Sequence, residues 1–385
     1  MPDTHFPVTA SERGTTRGLR VQRILGYGAV RDAAELDLGA HHVARPLSYV
    51  AAWQQAFGVA KSIALVARDG NDRARGAIVA SIGASRALPG HSIYRIERMP
   101  GIVDAELRHQ LIAALMRSAN NDSRCLRVVI EIFERDGGAR AALANTLAAA
   151  GFSRVKQSRM YMHTLAVNLC RDERALFASL HSTARYNVRA AVKRGLVVRP
   201  ISDVSLATQL RALSLETYKR RRALDDALPW ERIIALSTSQ PASSHLIGVF
   251  DETAPVNAQL VAYAWGCAHG SYASYEAGAS ARRPELGNTP LGYAPLWELI
   301  RWARNLAGVE WFDLGGINAA GALDSLAGIS RFKRYFSDEA VEVGAEWSLE
   351  PHPARAAVAR AIKHAATWTI AHTPSRRQLQ TAEAE

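Results

Sequence analysis

The sequence predicts an α+β fold built as two domains of similar plan, and three observations carry that prediction. Apolar, β-branched runs come in hairpin-like groups with turn residues between them. Each group leads through helical spacing to a strand rich in apolar residues, and in the first half that strand is apolar on both faces, which marks a central place in a sheet. The same order then recurs in the second half, with no sequence repeat at a fixed period. Mixed, mostly antiparallel sheets flanked by helices are expected in both halves.

Residues 1–40 are polar and Arg-rich and read as an arm or an extra strand. Residues 41–168 form the first expected domain. A short helix over 49–57 stops at Gly58. Strands at 62–68 and 76–85 are joined by the turn Asp69-Gly70-Asn71-Asp72. A third strand at 92–98 runs into Met99-Pro100-Gly101 and a helix over 104–119. The central strand spans 126–133, and a helix over 138–150 follows, closed by Gly151, before a strand-like stretch to Asn168. Residues 169–336 form the second domain. It has helices over 172–194, closed by Gly195, and over 204–222, then strands at 244–250, 258–267 and 271–277. A helix at 290–306 and a strand at 309–314 complete it. Residues 337–385 supply a strand and a helix at 353–372 that return to the first domain, and end in a polar tail.

The charge is not balanced: Lys+Arg is 47 against Asp+Glu at 36, a net of +11. That surplus favours anionic partners such as nucleic acid, nucleotide-linked substrates or anionic lipid. Cys125, Cys170 and Cys267 are far apart with no CxxC, so neither a disulfide framework nor a zinc site is indicated, which fits a reducing compartment. No secretion signal is visible, and no apolar run has the length to cross a bilayer. A cytoplasmic monomer without membrane insertion is expected.

Residues 171–222 hold twelve Lys/Arg against four Asp/Glu, a net of +8. Arg185, Arg189 and Lys193 recur every four residues and share one helix face. Leu176, Leu180, Ala184, Val188 and Val192 share another, suited to the core. A solvated basic face is the ordinary outcome of such a run, and a second cluster at 219–222 tilts the reading towards phosphate.

The stretch 310–336 opens as a strand that ends at Gly315-Gly316, where the backbone is free to turn. A small-residue loop then leads into Ser330-Arg331-Phe332-Lys333-Arg334-Tyr335-Phe336, where three cations alternate with three rings. Such a segment suits a planar, anionic ligand, and equally the solvated start of an amphipathic helix.

No GxSxG, HExxH or Walker A motif is present. His41, His42, His163, His181 and His269 lack metal-ligand spacing and read as packing or surface histidines, so neither metal nor cofactor is expected. Asp313, beside Gly315-Gly316, is placed to act as a base but reads first as a strand-end residue capping a turn.

Four segments stand in the order found in FemAB-like aminoacyltransferases, relatives of the peptidoglycan-bridge enzymes. They are residues 184–195 (ARYNVRAAVKRG), Glu216-Thr217-Tyr218-Lys219-Arg220, Trp311-Phe312-Asp313-Leu314-Gly315-Gly316, and Gly328 with Arg331-Phe332-Lys333 and Phe336. Weaker echoes lie at Trp53, at 94–101 and at Gly151-Phe152. The chain resembles that family over residues 45–345, and is similar to its compact members because no long insertion separates the two basic helices. The resemblance implies two tandem acetyltransferase-like (GNAT) domains, an aminoacyl-tRNA donor, and an amine acceptor held in a cleft. The acceptor is a peptidoglycan precursor or another small-molecule amine, phosphorylated or nucleotide-linked.

The same resemblance matches Phe332 and Lys333 to a Phe-Lys pair beside the reacting ester, and Arg220 to an Arg that binds acceptor phosphates. Lys61 and Tyr94 fall in the region of acceptor contacts. Arg185, Arg189, Lys193 and Arg194 then suit the tRNA acceptor end. An acyl-CoA signature, Arg/Gln-x-x-Gly-x-Gly/Ala, has only a near miss at residues 73–78, where Ile78 is too large for close pyrophosphate approach. An acyl-CoA or carrier-protein thioester donor is the first alternative. A non-catalytic RNA- or anionic-surface-binding protein is the second.

Overall fold

The computed structural model describes residues 19–25, 47–49, 51–59, 61–156, 158–221, 228–286, 290–317 and 327–372. Within them the chain forms two seven-stranded sheets. The first runs, in spatial order, β1 (Arg20–Leu25), β2 (Ser62–Arg68), β3 (Ala74–Ala84), β4 (Ser92–Met99), β5 (Cys125–Ile132), β14 (Glu346–Leu349) and β6 (Ser153–Arg154). The second runs β8 (Val197–Pro200), β9 (Ser244–Phe250), β10 (Leu260–Ala268), β11 (Tyr272–Ser280), β12 (Trp311–Gly316), β7 (His163–Asn168) and β13 (Ala340–Glu342). Each sheet contains one parallel pair, β4 with β5 and β11 with β12, at the same place in the order. A parallel pair needs a crossover. Helix α2 (Ala105–Asn121), N-capped by Asp104, supplies it in the first half, and α8 (Tyr293–Arg304) in the second.

The two halves exchange their closing strands. β14 inserts between β5 and β6, and β7 inserts between β12 and β13. The boundary expected at 168 therefore differs from the structure, which places β7 in the second sheet. Gly344 lies on the exchange path, where a Cβ would fall 1.8 Å from the Ile132 carbonyl oxygen, so only glycine passes. Residues 47–57, expected in the first domain, also cover the second half: helix α1 (Ala51–Ala56) brings Trp53 and Phe57 to within 5.9 and 6.0 Å of the Trp265 ring. A helix of six residues cannot bury an apolar face by itself, and here that face closes over β10.

The single helix expected over 172–194 is two helices, α4 (Glu173–Ser179) and α5 (Ser182–Lys193). Leu180 is extended (ψ 150), and the His181 side chain accepts the Thr183 N–H to cap the new start. The break resets the helical phase. Ala184, Asn187 and Ala191 are buried, while Val192, expected in the core stripe, is 68% exposed. Helix α6 (Ala207–Arg221) follows a 3-10 turn at Val204–Leu206. Helix α7 (Trp230–Ser239) was not predicted, although Trp230, Ile233, Ile234 and Ser237 carry helical spacing behind Pro229.

The first core lies between the sheet and helices α2 and α3 (Gly137–Ala149), with Ile63, Leu111, Leu115 and Ile130 at or below 1% exposure. The second lies under α8, where Leu296, Leu299 and Ile300 meet Phe312 and Leu314. Full burial of each such side chain contributes about 1.5–3 kcal/mol. These cores fix β11 and β12, which carry the site. Among the described residues no helix is long and apolar enough to cross a membrane.

Candidate active site

The parallel strands β11 and β12 pair only as far as Ser274 with Asp313. Past that point β12 turns at Gly315 (φ +78), a conformation that L side chains rarely adopt. Helix α9 (Ala327–Arg334) places Lys333 in the resulting notch. Its Nζ donates to the Gly316 carbonyl at 2.9 Å, and the side chain is buried. A Cβ on Gly315 would lie 3.1 Å from that Nζ and 3.6 Å from the Tyr275 carbonyl oxygen. The Lys333 tip thus sits beside β11, one residue from Glu276.

Lys333 and Phe332 form part of the wall of a cavity of about 370 Å³. Thr217 and Tyr218 of α6, Tyr263 of β10, and Tyr275 and Glu276 of β11 line it from other sides. Gly292 and Tyr293 close it at the start of α8, where no side chain caps the helix, so the positive end of its dipole borders the cavity. The rings are held in place: Phe332 meets Tyr293 edge-on at 4.9 Å, and the Tyr263 hydroxyl shares a 2.7 Å hydrogen bond with Ser214.

Beneath the cavity a buried polar network joins the halves. Arg98, at the end of β4, has a left-handed backbone (φ 50), and its guanidinium crosses to the second sheet. It donates to Glu276 Oε1 at 3.2 Å, lies 3.5 Å from Asp313 Oδ2, and stands 4.8 Å over the Phe133 ring. Burial works against the charge of Arg98, but Tyr161, Glu276, Tyr272 and Asp313 outweigh it. Burial likewise opposes ionisation of Glu276, yet Arg98, His269 and Ser274 hold its carboxyl down at about 2. The Leu47 N–H donates to His269 Nδ1, so the ring proton resides on Nε2, 2.9 Å from Ser274 Oγ. Burial and Arg98 lower the His269 pKa and keep the ring neutral.

Asp313 accepts from Tyr161 at 2.6 Å, from Thr164, and from the Gly315 N–H at 2.7 Å. With Arg98 beside it, the carboxylate is fully occupied. It caps the turn, as the sequence suggested, and holds the halves together.

Of the residues singled out from the sequence, Phe332 and Lys333 come together in the cavity. Arg220 stands on α6 three residues past Thr217, and its side chain lies outside the described residues. Tyr94 does not line the cavity: it is 1% exposed in the first core, its hydroxyl donating to Asp122 at 2.8 Å. Lys61 is exposed just before β2 and does not line it either. The basic face of α5 divides in two. Arg185 donates to the Ala178 carbonyl at 2.8 Å and to that of Leu180, closing the end of α4. Arg189 lies 5.0 Å over the Phe177 ring. Lys193 and Arg194 are exposed at the helix end.

Sequence reasoning missed Arg98, Tyr161 and Glu276, and read His269 only as a packing or surface residue. One signal was present: Glu276 is the single acid in a strand otherwise made of small and aromatic residues. Among the described residues no group of three or more His, Cys, Asp or Glu is placed to hold a metal.

Two mixed sheets, each with one parallel pair bridged by a helix, define a tandem acetyltransferase-like fold. Among solved structures the chain is similar to FemX, with a TM-score of 0.67 and 14% identity over 86% of this chain and 98% of that one. It also matches a GCN5-related N-acetyltransferase from Kribbella flavida (TM-score 0.34, 15% identity, 82% and 95% of the two chains). A third match is a conserved protein of unknown function from Bacteroides thetaiotaomicron (TM-score 0.46, 11% identity, 82% and 91%). At such identities the likeness is one of fold, and the fold is that of FemX. No protein-family model matches the chain, and no curated protein matches it in sequence.

Proposed function

We propose that the chain is an acyltransferase that moves an aminoacyl group from aminoacyl-tRNA to an amine acceptor, forming an amide. The observation that carries this reading is the buried Lys333, held against β12 with its tip on the wall of the cavity. In the reaction a neutral amine attacks the ester carbonyl carbon. The C–N bond forms, the ester C–O bond breaks, and the ribose oxygen leaves with a proton. Negative charge gathers first on the carbonyl oxygen and then on the leaving oxygen, and a fixed ammonium stabilises both more in the transition state than in the ground state. The remaining contribution is proximity, so no nucleophilic Ser, Cys or His is required.

The charge of residues 171–222 supports a nucleic-acid-borne donor, with Arg189, Lys193 and Arg194 exposed on α5 and at its end. A peptidoglycan precursor, or another phosphorylated or nucleotide-linked amine, is the proposed acceptor, with Arg220 on its phosphates. The test is mass spectrometry of the products formed with charged tRNA, acyl-CoA and a panel of amines. An amide made from charged tRNA alone is the expected result. Product from acyl-CoA alone would overturn the donor assignment.

A further inference from the structure

We propose that the cavity holds the donor's α-ammonium on Glu276, so that only acyl groups bearing a free, protonated amine are transferred. This rests on the proposed aminoacyl transfer. The Glu276 side chain is 19% exposed, and the residue lines the cavity. Among the described residues its contacts run through Oε1: Arg98 at 3.2 Å, the Ser274 hydroxyl, and the His269 ring at 3.5 Å. No hydrogen bond within the described chain is made to Oε2, and Glu276 lines the ligand-sized cavity.

Around Glu276 the lining is aromatic, while Lys333 and the start of α8 supply positive charge on other parts of the wall. Tyr218, Tyr263, Tyr275 and Tyr293 border the same cavity as the carboxylate. Aromatic faces around one acid are the usual recognition chemistry for an ammonium group. The carboxylate is also the wrong group to deprotonate the attacking amine. Arg98 and the Ser274 hydroxyl donate to its Oε1, and Arg98 and His269 hold its carboxyl down at about 2. A base that weak binds a proton-bearing nitrogen without removing the proton. The amine on Glu276 is therefore the one that keeps its charge through the reaction, the donor's own. In an amino-acid ester that nitrogen lies one carbon from the reacting carbonyl. Lys333 lines the same cavity, near Tyr275 of the strand that carries Glu276, and is the group assigned to the carbonyl oxygen.

The experiment compares three donors on the unaltered protein: aminoacyl-tRNA, the same tRNA N-acetylated on the amino acid, and the same tRNA carrying the corresponding α-hydroxy acid. The inference predicts a loss in kcat/KM of at least on the order of 10²-fold for both analogues. Transfer of either within a few-fold of the parent overturns it. Glu276→Gln should bring the amino-to-hydroxy ratio close to one, and an unchanged ratio in a folded variant also overturns it. Should no tRNA donor react, calorimetric titration of the unaltered protein with alaninamide and N-acetylalaninamide decides the matter. Binding of alaninamide alone keeps the ammonium site while the transferase reading fails; equal binding, or none of either, overturns the site.

Discussion

Arg98 of the first sheet donates to Glu276 of the second at 3.2 Å, and that pair links the two halves. The same guanidinium lies 3.5 Å from Asp313. Arg98→Met keeps the bulk and removes the charge, leaving two buried carboxylates uncompensated. The expected cost is roughly 3–5 kcal/mol, read as a lower urea midpoint. A variant within 1 kcal/mol of the parent would mean that water or rearrangement replaces the pair.

The carboxyl of Glu131 gives a pH test. Burial and then the neighbouring Glu97 push it up to about 7, from 4.5 when free. A raised carboxyl stabilises the folded chain fully below its unfolded pKa, and that stability is lost as pH rises through 7. Glu131→Gln cannot ionise, so its stability relative to the parent should climb between pH 4.5 and above 7, by at most roughly 1.4 kcal/mol per pH unit. Urea unfolding at pH 5, 6, 7 and 8 reads the difference. A flat difference contradicts the shift.

Gly315→Ala tests the notch. The new methyl meets a φ of +78 and the Lys333 ammonium at 3.1 Å. We expect a loss of about 1–2 kcal/mol from strain and a lower kcat from displacement of Lys333. Unaltered kcat in a destabilised variant would separate the turn from the chemistry.

The two parts of the α5 basic face should respond differently. Lys193→Gln with Arg194→Gln should flatten the salt dependence of tRNA binding by roughly 0.7 per lost single-stranded phosphate contact, with stability unaltered. Arg185→Gln should instead cost stability, about 0.5–1.5 kcal/mol per hydrogen bond, because it closes the end of α4. Equal loss of binding from both would return Arg185 to the RNA interface.

Much of the fold was legible because local chemistry decides it. Asp104 caps α2, Asp69 accepts the N–H groups of Asn71 and Arg73 in the first hairpin, and Gly58, Gly151 and Gly195 take positive φ where their helices stop. The Phe332-Lys333 pair was legible too, because it lies in one short segment. The place of β7 in the second sheet was not, since nothing within that strand says which sheet it joins. Arg98 and Glu276 are separated by 178 residues, and their pairing exists only once both sheets have formed. The break at Leu180 was hidden because leucine is a good helix former and the His181 cap is a weak signal.

The most direct test of the central claim is the turnover of Lys333→Met. The substitution keeps the aliphatic stem and removes the ammonium. Leaving the Gly316 carbonyl unpaired costs about 1–3 kcal/mol, so rates are to be compared well below the unfolding temperature. With both substrates saturating, amide formation from charged tRNA should fall on the order of 10²–10³-fold while substrate binding holds. Turnover within a few-fold of the parent would contradict the placement of acyl transfer at this cavity.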